Sequence, residues 1–330
     1  MNSLEQYEGK EILITGGLGL IGSTIANKLN VLDAKITILD AKIPIYGGNF
    51  FNIENIKKQI NVEIGDIRDG DKVNQIVQGK DIIFNLAGQI DYTYSLDEPH
   101  YDLDINCRGH LNVLEACRKY NPNAVVLFSG SRMQYGKTEY LPVDEKHPTN
   151  PLSIYGVHKL TGEKYHLAYN NHYGLKTVMF RISNPYGPRS QMKHYKYSII
   201  NWFIRQAIEN KKITVYGDGS QMRDYIYIDD VADAFIQSAI NKNAYGEVFN
   251  LGSGEGTKFI DMVNTIVETV GSGEVAKVPW PKEWKNVETG DYIGDISKLK
   301  NAINWKPKIS LKEGIKKTYE FYRENKENYW

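Results

Sequence analysis

The stretch ILITGGLGLIG, residues 12–22, runs from an apolar segment of strand length into a glycine-rich turn. Glycine at such a turn lets another group approach the main chain closely. A G-x-G-x-x-G spacing alone is weak evidence for a binding site, because a glycine-rich turn that binds no ligand can have the same sequence. Here it follows a strand and opens a helix, which is typical of a dinucleotide-binding loop with the pyrophosphate at the helix N-terminus. The loop residues predicted to line the cofactor are Gly16, Gly19, Leu20, Ile21 and Gly22.

Asp40 ends the second predicted strand, eighteen residues after Gly22. An acidic side chain at this point accepts hydrogen bonds from the adenosine ribose hydroxyls. Its carboxylate would repel the extra phosphate of NADP, and no arginine follows at residues 41–43. The sequence therefore predicts NAD in preference to NADP as the cofactor.

Apolar runs of strand length alternate with helical periodicity through the first half of the chain. This alternation predicts an α/β fold of Rossmann type, a doubly wound parallel sheet covered by helices on both faces. The strands are predicted at residues 11–15, 35–40, 61–66, 81–87, 124–129 and 176–182, and the helices at 21–32, 71–77, 100–120 and 154–173.

The chain after residue 184 has shorter elements and more Tyr, Lys and Asn, which predicts a second, smaller domain. We assign residues 1–183, together with about 223–250, to a Rossmann-type domain that binds NAD. Residues 184–222 and 251–330 are assigned to a mixed α/β C-terminal domain that binds the substrate.

Ligands of such sheets bind outside the carboxyl ends of the strands. Asp66 and Ile67 stand at the end of the third predicted strand, and Leu86 and Ala87 at the end of the fourth. All four are therefore predicted to line the cofactor. Asp66 has a second interpretation as an ordinary turn aspartate.

The bulk composition argues against several classes of function. The 330 residues include 40 basic and 40 acidic side chains, so no overall charge attracts nucleic acid or an acidic membrane. No apolar run reaches the ~18 residues of a membrane span, and the opening MNSLEQYEGK lacks the features of an export signal. Cys107 and Cys117 lie too far apart on one predicted helix to form a disulfide. We expect a cytoplasmic protein that binds neither nucleic acid nor membrane.

The segment YGVHK places Tyr155 and Lys159 at positions i and i+4, on one face of a predicted helix. Tyrosine, with an ordinary pKa of about 10, is a poor base unless cations stabilise its phenolate. A lysine one turn away and an oxidised nicotinamide ring both supply such charge. Ser131, in the upstream FSGSRMQYG, follows a predicted strand, where its hydroxyl is placed to bond a substrate hydroxyl. The alternative interpretation of the Tyr and Lys spacing is a pair on a surface helix.

With these residues the chain resembles the extended short-chain dehydrogenase/reductases that act on nucleotide sugars. The similarity covers nearly the whole chain, and its motifs occur in the order typical of the family. They are TGGLGLIG, NLAG at residues 85–88, NCRGHLNVLEAC, SGSRMQYG, YGVHK, RISNPYGPR and YGDGSQMRDYIYIDDVADA.

The resemblance implies a role for each matching residue. Tyr155 would take the proton of a sugar hydroxyl as hydride passes to NAD, Lys159 would hold the nicotinamide ribose, and Ser131 would share the proton. Asn184 and Arg223 match residues that contact the diphosphate of the substrate. The resemblance also implies a nucleotide-diphosphate sugar as substrate and a homodimer formed through helices of the first domain. We expect no metal ion at the site.

Residues 132 and 133 bear on which reaction of this group takes place. The 4,6-dehydratases carry an Asp-Glu pair where this chain has Arg132 and Met133, and the decarboxylases also carry Glu at the second position. Loss of water needs a general acid, which neither residue supplies. Epimerisation needs only Tyr155, NAD and room for the keto sugar to turn before hydride returns to its opposite face. We therefore expect a nucleotide-sugar epimerase acting at C4. The alternative is an NAD(P)-dependent reductase or dehydrogenase of a keto nucleotide sugar, with a dehydratase or decarboxylase less favoured.

One position departs from the family pattern. Many of its epimerases bind the second phosphate with an arginine in an R-x-G-D motif near the C-terminus, whereas this chain has Glu288 there, in VETGDY. A carboxylate would repel a diphosphate, so either another cation serves or the substrate lies differently. Lys282 and Lys285 are nearby in the sequence. Arg132 has two interpretations: it reaches a carboxylate or polar group on the sugar, or it pairs with a backbone carbonyl or an acid of the protein.

Overall fold

The computed structural model describes residues 3–43, 46–281 and 288–330. The strands, in chain order, are β1 (Glu11–Thr15), β2 (Lys35–Asp40), β3 (Asn61–Ile64), β4 (Ile82–Asn85), β5 (Val125–Ser131), β6 (Lys176–Ile182), β7 (Asn184–Tyr186), β8 (Lys212–Tyr216), β9 (Met222–Tyr227), β10 (Glu247–Leu251), β11 (Gly256–Lys258) and β12 (Glu274–Val278). The helices are α1 (Leu20–Asn30), α2 (Gly70–Ile76), α3 (Tyr94–Asp97), α4 (Pro99–Leu103), α5 (His110–Tyr120), α6 (Ile154–Tyr173), α7 (Ile199–Ile208), α8 (Ile228–Ala239), α9 (Phe259–Val270), α10 (Ser297–Ile303) and α11 (Leu311–Asn325).

Seven of the strands form one sheet in the order β3-β2-β1-β4-β5-β6-β10, and all neighbouring strands in it are parallel. The chain moves outward from β1 to β3 and then returns to the other side of β1 at β4. A topological switch point therefore lies between β1 and β4, at the carboxyl ends of the two strands. The doubly wound parallel sheet predicted from the sequence is confirmed.

Successive residues of the central strands pack into two separate cores. Ile12 and Ile14 of β1 belong to the core shared with α1 and α8, whereas Leu13 belongs to the core shared with α2, α5 and α6. All three side chains are fully buried. Burial on both faces explains why this strand is a continuous apolar run rather than an alternation of apolar and polar residues.

The helix predicted at 100–120 has an irregular middle. A π-helical segment, Asp104–Gly109, lies between α4 and α5. Gly109 lies directly against Ile67, since a Cβ atom at Gly109 would be 2.5 Å from Cδ1 of that side chain. Side-chain periodicity does not reveal such a widened turn, which explains the difference from the prediction. Cys107 and Cys117 are buried free thiols, as predicted.

The remaining strands form two small sheets. β7, β9 and β11 make a three-stranded sheet, and β8 pairs with β12. Within 223–250, α8 packs against α1 and β10 joins the large sheet, whereas β9 belongs to the three-stranded one. The division of the chain into two domains stays a prediction. In the described parts of the chain, no helix is both long and apolar enough to cross a membrane.

A buried ionic network fixes the turn that follows β5. Nε and Nη2 of Arg181 donate to the two carboxylate oxygens of Glu163 at 2.8 and 2.7 Å, and both side chains are nearly fully buried. Gln134 donates to Glu163 at 2.6 Å and accepts from the backbone N–H of Ser131 at 2.7 Å. The network therefore links β6 and α6 to the residue that ends β5.

We expect Arg181→Met to destabilise the fold by about 3–5 kcal/mol, because it leaves the Glu163 carboxylate buried without its partner. Lys164 also lies 3.5 Å from Glu163, but its side chain is 57% exposed. Lys164→Met should therefore cost at most about 1 kcal/mol. Urea unfolding of the two variants measures both values, and equal midpoints would contradict the importance of the buried pair.

Candidate active site

A crevice opens at the carboxyl ends of the parallel strands, on both sides of the switch point. Fifteen of the residues predicted from the sequence line it. Arg223 is the predicted residue that is absent from this lining. The fifteen are Gly16, Gly19, Leu20, Ile21, Gly22, Asp40, Asp66, Ile67, Leu86, Ala87, Ser131, Arg132, Tyr155, Lys159 and Asn184.

Three of the four glycines of the loop have different surroundings. Gly16 has φ +70°, and a Cβ atom there would lie 2.9 Å from Cα of Ala87. A Cβ atom at Gly22 would lie 2.5 Å from the carbonyl oxygen of Gly16. At Gly19 a Cβ atom would make only one ordinary contact, at 3.4 Å, and would otherwise enter open space. Gly16 and Gly22 are thus required by the protein itself, whereas Gly19 leaves room for a ligand.

The first turn of α1 suits an anionic group. Gly19 is its N-cap residue and supplies no side-chain hydrogen bond. The N–H groups of such a turn, together with the positive end of the helix dipole, attract phosphate. The space over Gly19 and the uncapped helix end therefore fit a dinucleotide pyrophosphate.

Asp40 holds the loop of β1 and the loop of β2 together. Its carboxylate accepts from the N–H of Leu18 at 3.0 Å and of Lys42 at 2.8 Å. Burial raises the pKa of the Asp40 carboxyl, and the two backbone N–H groups oppose that shift. Each carboxylate oxygen can accept a further hydrogen bond, and Asp40 lines the crevice. Asp66, in contrast, forms a two-point ion pair with Arg68, with bonds of 3.0 and 2.7 Å.

Tyr155 and Lys159 lie on one face of the first turns of α6. Nζ of Lys159 donates to the carbonyl oxygen of Ser129 at 3.0 Å and lies 5.9 Å from the centroid of the Tyr155 ring. Burial lowers the pKa of Lys159 to about 8. Burial also raises the pKa of Tyr155, while its interaction with the Ser131 hydroxyl and the charge of Arg132 act to lower it. The phenol is consequently protonated at pH 7 in this structure.

Arg132 projects from the turn after β5 and contacts neutral groups. Its Nη1 donates to Oγ1 of Thr289 at 3.0 Å, and its Nε lies 3.5 Å from Oδ1 of Asn184. Its guanidinium carbon is 5.4 Å from the centroid of the Tyr292 ring. Among the described residues, Arg132 forms no ion pair and no hydrogen bond to a backbone carbonyl. Asn184 in turn donates to the carbonyl oxygen of Asp224 at 2.7 Å.

Arg223 and Glu288 form a salt bridge with each other. Arg223 is 7% exposed and also donates to the carbonyl oxygens of Met222 and Gly290, at 2.9 and 2.7 Å. Glu288, which stands where many epimerases of the family have a phosphate-binding arginine, is therefore neutralised by Arg223. Lys282 and Lys285, the other candidate cations, lie outside the described residues.

Sequence reasoning missed the residues that cover the crevice. Lys196, after β7, pairs with Asp91, after β4, at 3.1 Å. The rings of Tyr46 and Tyr197 lie 6.0 Å apart, so the loops after β2 and β7 also meet. Lys196, Tyr46 and Tyr197 line the crevice. They stand in loops with no motif or periodicity, so no signal in one sequence identifies them. Across 3–43, 46–281 and 288–330, no cluster of His, Cys, Asp and Glu is suited to a metal ion.

Comparison with known proteins agrees with this geometry. The chain is 32% identical over 315 residues to the UDP-glucose 4-epimerase of Mycolicibacterium smegmatis, covering 94% of this chain and 98% of that one. It is 31% identical to the CDP-paratose 2-epimerase of Salmonella typhi, covering 94% and 98%. The UDP-glucose 4-epimerase of Thermus thermophilus, solved in complex with NAD, has a TM-score of 0.83 and 29% identity, covering 95% of this chain and 99% of that one.

The family assignment follows from a match over most of the chain. Residues 12–252 match the model of the NAD dependent epimerase/dehydratase family. This region contains the glycine loop, Ser131, Tyr155 and Lys159. The resemblance seen in the sequence motifs is thereby confirmed, as is the choice of cofactor. The chain belongs to the NAD-dependent epimerase/dehydratase family of nucleotide-sugar enzymes, and its cofactor is NAD.

Proposed function

We propose that this chain is a nucleotide-sugar epimerase that inverts C4 of the sugar through a transient keto sugar. The observation that carries the proposal is the meeting of Tyr155, Lys159 and Ser131 in the crevice that also contains the glycine loop. The named 4-epimerase relatives support the choice of carbon. The diphosphate sugar is the substrate class that such relatives act on.

Tyr155 is the proposed base. It removes the proton of the sugar hydroxyl, and it returns a proton to the same oxygen after the keto sugar has turned. Lys159 supplies a positive charge beside the ring, and its bond to the Ser129 carbonyl keeps that charge in place. Ser131 is the proposed hydrogen-bond partner of the same sugar oxygen. NAD, held by the residues of the glycine loop and Lys159, would supply the hydride chemistry that the inversion of a sugar carbon requires.

The residues beside Ser131 argue against loss of water or of carbon dioxide. Arg132 and Met133 are not suited to act as general acids at pH 7, since an arginine holds its proton far more tightly than a carboxylic acid does and a thioether does not ionise. A dehydratase needs such a group to protonate the leaving hydroxyl. A reductase or dehydrogenase of a keto nucleotide sugar remains the second candidate, because it would use the same three residues.

NMR of nucleotide sugars distinguishes these reactions. UDP-, dTDP-, GDP- and CDP-sugars are incubated with the protein and with NAD far below the sugar concentration. We expect one sugar to become a mixture of two C4 epimers, with many turnovers for each NAD. Product formation limited to the amount of added cofactor would indicate a reductase, and a 4-keto-6-deoxy product would indicate a dehydratase.

Tyr155→Phe should reduce turnover in the same assay by about 100-fold or more, because the ring remains while its proton-transferring oxygen is lost. NAD affinity, measured by calorimetry, should stay close to that of the parent protein. Unchanged turnover would contradict the role of Tyr155 as the base.

We also propose that the crevice residues of the glycine loop, together with Asp40, Asp66, Ile67, Leu86 and Ala87, form the NAD subsite. A matched pair of variants tests it. Gly19→Ala should fold normally and weaken NAD binding by about tenfold or more, because its methyl group would occupy the space left for the pyrophosphate. Gly22→Ala should instead lower stability by about 1–3 kcal/mol, because its methyl group would meet the backbone of Gly16.

Calorimetric titration with NAD and thermal unfolding separate the two effects. If Gly19→Ala binds NAD as tightly as the parent protein, the pyrophosphate does not approach Gly19. If it unfolds as easily as Gly22→Ala, the space over Gly19 is needed by the fold rather than by a ligand.

We further propose a cytoplasmic homodimer formed through α4, α5 and α6. These helices carry large apolar side chains that are 41–55% exposed, and an interface over them would remove apolar surface from water. They are Leu103, Tyr120, Val157 and Tyr173.

Light scattering should give about twice the chain mass of 37.7 kDa. Leu103→Glu should shift the mass toward the monomer, because it would bury a charge in the interface. Leu141→Glu is the control, since Leu141 is equally exposed but lies outside these helices. A monomeric parent protein would contradict the proposal.

A further inference from the structure

Arg132 is a cation that lines the crevice and forms no ion pair with the described residues. Its hydrogen-bond partners are the hydroxyl of Thr289 and the amide oxygen of Asn184, both of which are neutral. No hydrogen bond involves its Nη2 within the described residues. Guanidinium groups prefer two-point binding to a planar anion such as a carboxylate. Arg132 is therefore suited to bind an anionic group of a ligand.

The acid that attracts Arg132 is already paired with another arginine. Glu288 interacts electrostatically with Arg132, but its Oε1 is engaged in the salt bridge with Arg223 and in a 3.0 Å bond from the N–H of Gly290. Arg223 therefore has an ion-pair partner, whereas Arg132 forms no ion pair with the described residues. Of the two arginines, Arg132 is the one that a substrate anion would neutralise.

The surroundings of Arg132 make this lack of a partner costly. Burial, followed by the nearby charge of Arg223, lowers the pKa of Arg132 to about 10, so the guanidinium is still charged at pH 7. Removing such a charge from water without a partner is unfavourable. A bound anion would restore the lost interaction, which gives the site a physical reason to select charged ligands.

The position of Arg132 indicates where on the substrate that anion lies. Arg132 follows Ser131 directly, and its positive charge acts on the Tyr155 phenol. If Tyr155 acts on the C4 hydroxyl, the group beside Arg132 belongs to a neighbouring carbon. The diphosphate is attached to C1, on the opposite side of the sugar ring from C4, whereas the C6 group is attached to C5, next to C4.

From this geometry we propose that Arg132 binds a carboxylate at C6 of the sugar, so that the substrate is a nucleotide-activated uronic acid rather than a neutral hexose. The proposal rests on the proposed epimerase function, because that function places C4 at Tyr155. Arg132 is thus a specificity-determining residue, with Thr289 and Asn184 as the side chains that orient it.

A matched pair of ligands tests the proposal by binding alone. UDP-glucuronate and UDP-glucose differ only in the C6 carboxylate, and UDP reports the diphosphate contacts. Calorimetry on the NAD-loaded protein should give a Kd for UDP-glucuronate about 10- to 100-fold below that for UDP-glucose. Equal affinities, or no binding of either sugar, would overturn the assignment.

Two variants locate the effect at Arg132. Arg132→Met should bring the ratio of the two Kd values close to one, whereas Arg132→Lys should retain part of the preference, because it keeps the charge but loses the planar fork. An equal loss of affinity for UDP-glucuronate, UDP-glucose and UDP in Arg132→Met would show that Arg132 binds the diphosphate instead. NAD affinity and thermal unfolding of each variant confirm that it is folded.

Turnover measured separately distinguishes the two proposals. Arg132-dependent binding of UDP-glucuronate without formation of a C4 epimer would support the carboxylate site and contradict the proposed reaction. Epimerisation of UDP-glucose with no preference for the uronate would support the proposed reaction and contradict the carboxylate site. NMR of both sugars with catalytic NAD provides this measurement.

Discussion

The close approach of the β1 loop to the β4 loop is the constraint on which the crevice depends. Gly16, in a left-handed conformation, brings its main chain so near to Ala87 that a side chain would be excluded. Thr15 secures the contact, because its hydroxyl accepts from the N–H groups of Leu86 and Ala87 at 3.0 and 3.1 Å. The switch point of the sheet becomes a groove whose floor is backbone, and the functional side chains stand around it.

Electrostatics divides this groove into two kinds of region. Behind the turn after β5, the Arg181 and Glu163 charges are paired, buried and bonded to Gln134, so they position Ser131 without facing the ligand. In front of it, Lys159 and Arg132 face the crevice, and burial lowers the pKa of each. Charges committed to structure are thus kept apart from charges available to a ligand.

The sequence predicted the fold well, because strands buried on both faces leave apolar runs such as 11–15, whose bounds match β1. It also predicted which residues line the crevice, since the ends of parallel strands meet at one edge. It did not predict the pairing of Glu288 with Arg223, because the two positions lie 65 residues apart and no local pattern relates them. The cover formed by Tyr46 and Tyr197 was missed for the same reason.

The salt bridge between Arg223 and Glu288 also makes the two positions depend on each other. Replacing either residue alone would leave the other with an unpaired charge in a largely enclosed place, and that is strongly unfavourable. The two positions are therefore energetically coupled, so that the effect of a substitution at one depends on the residue at the other.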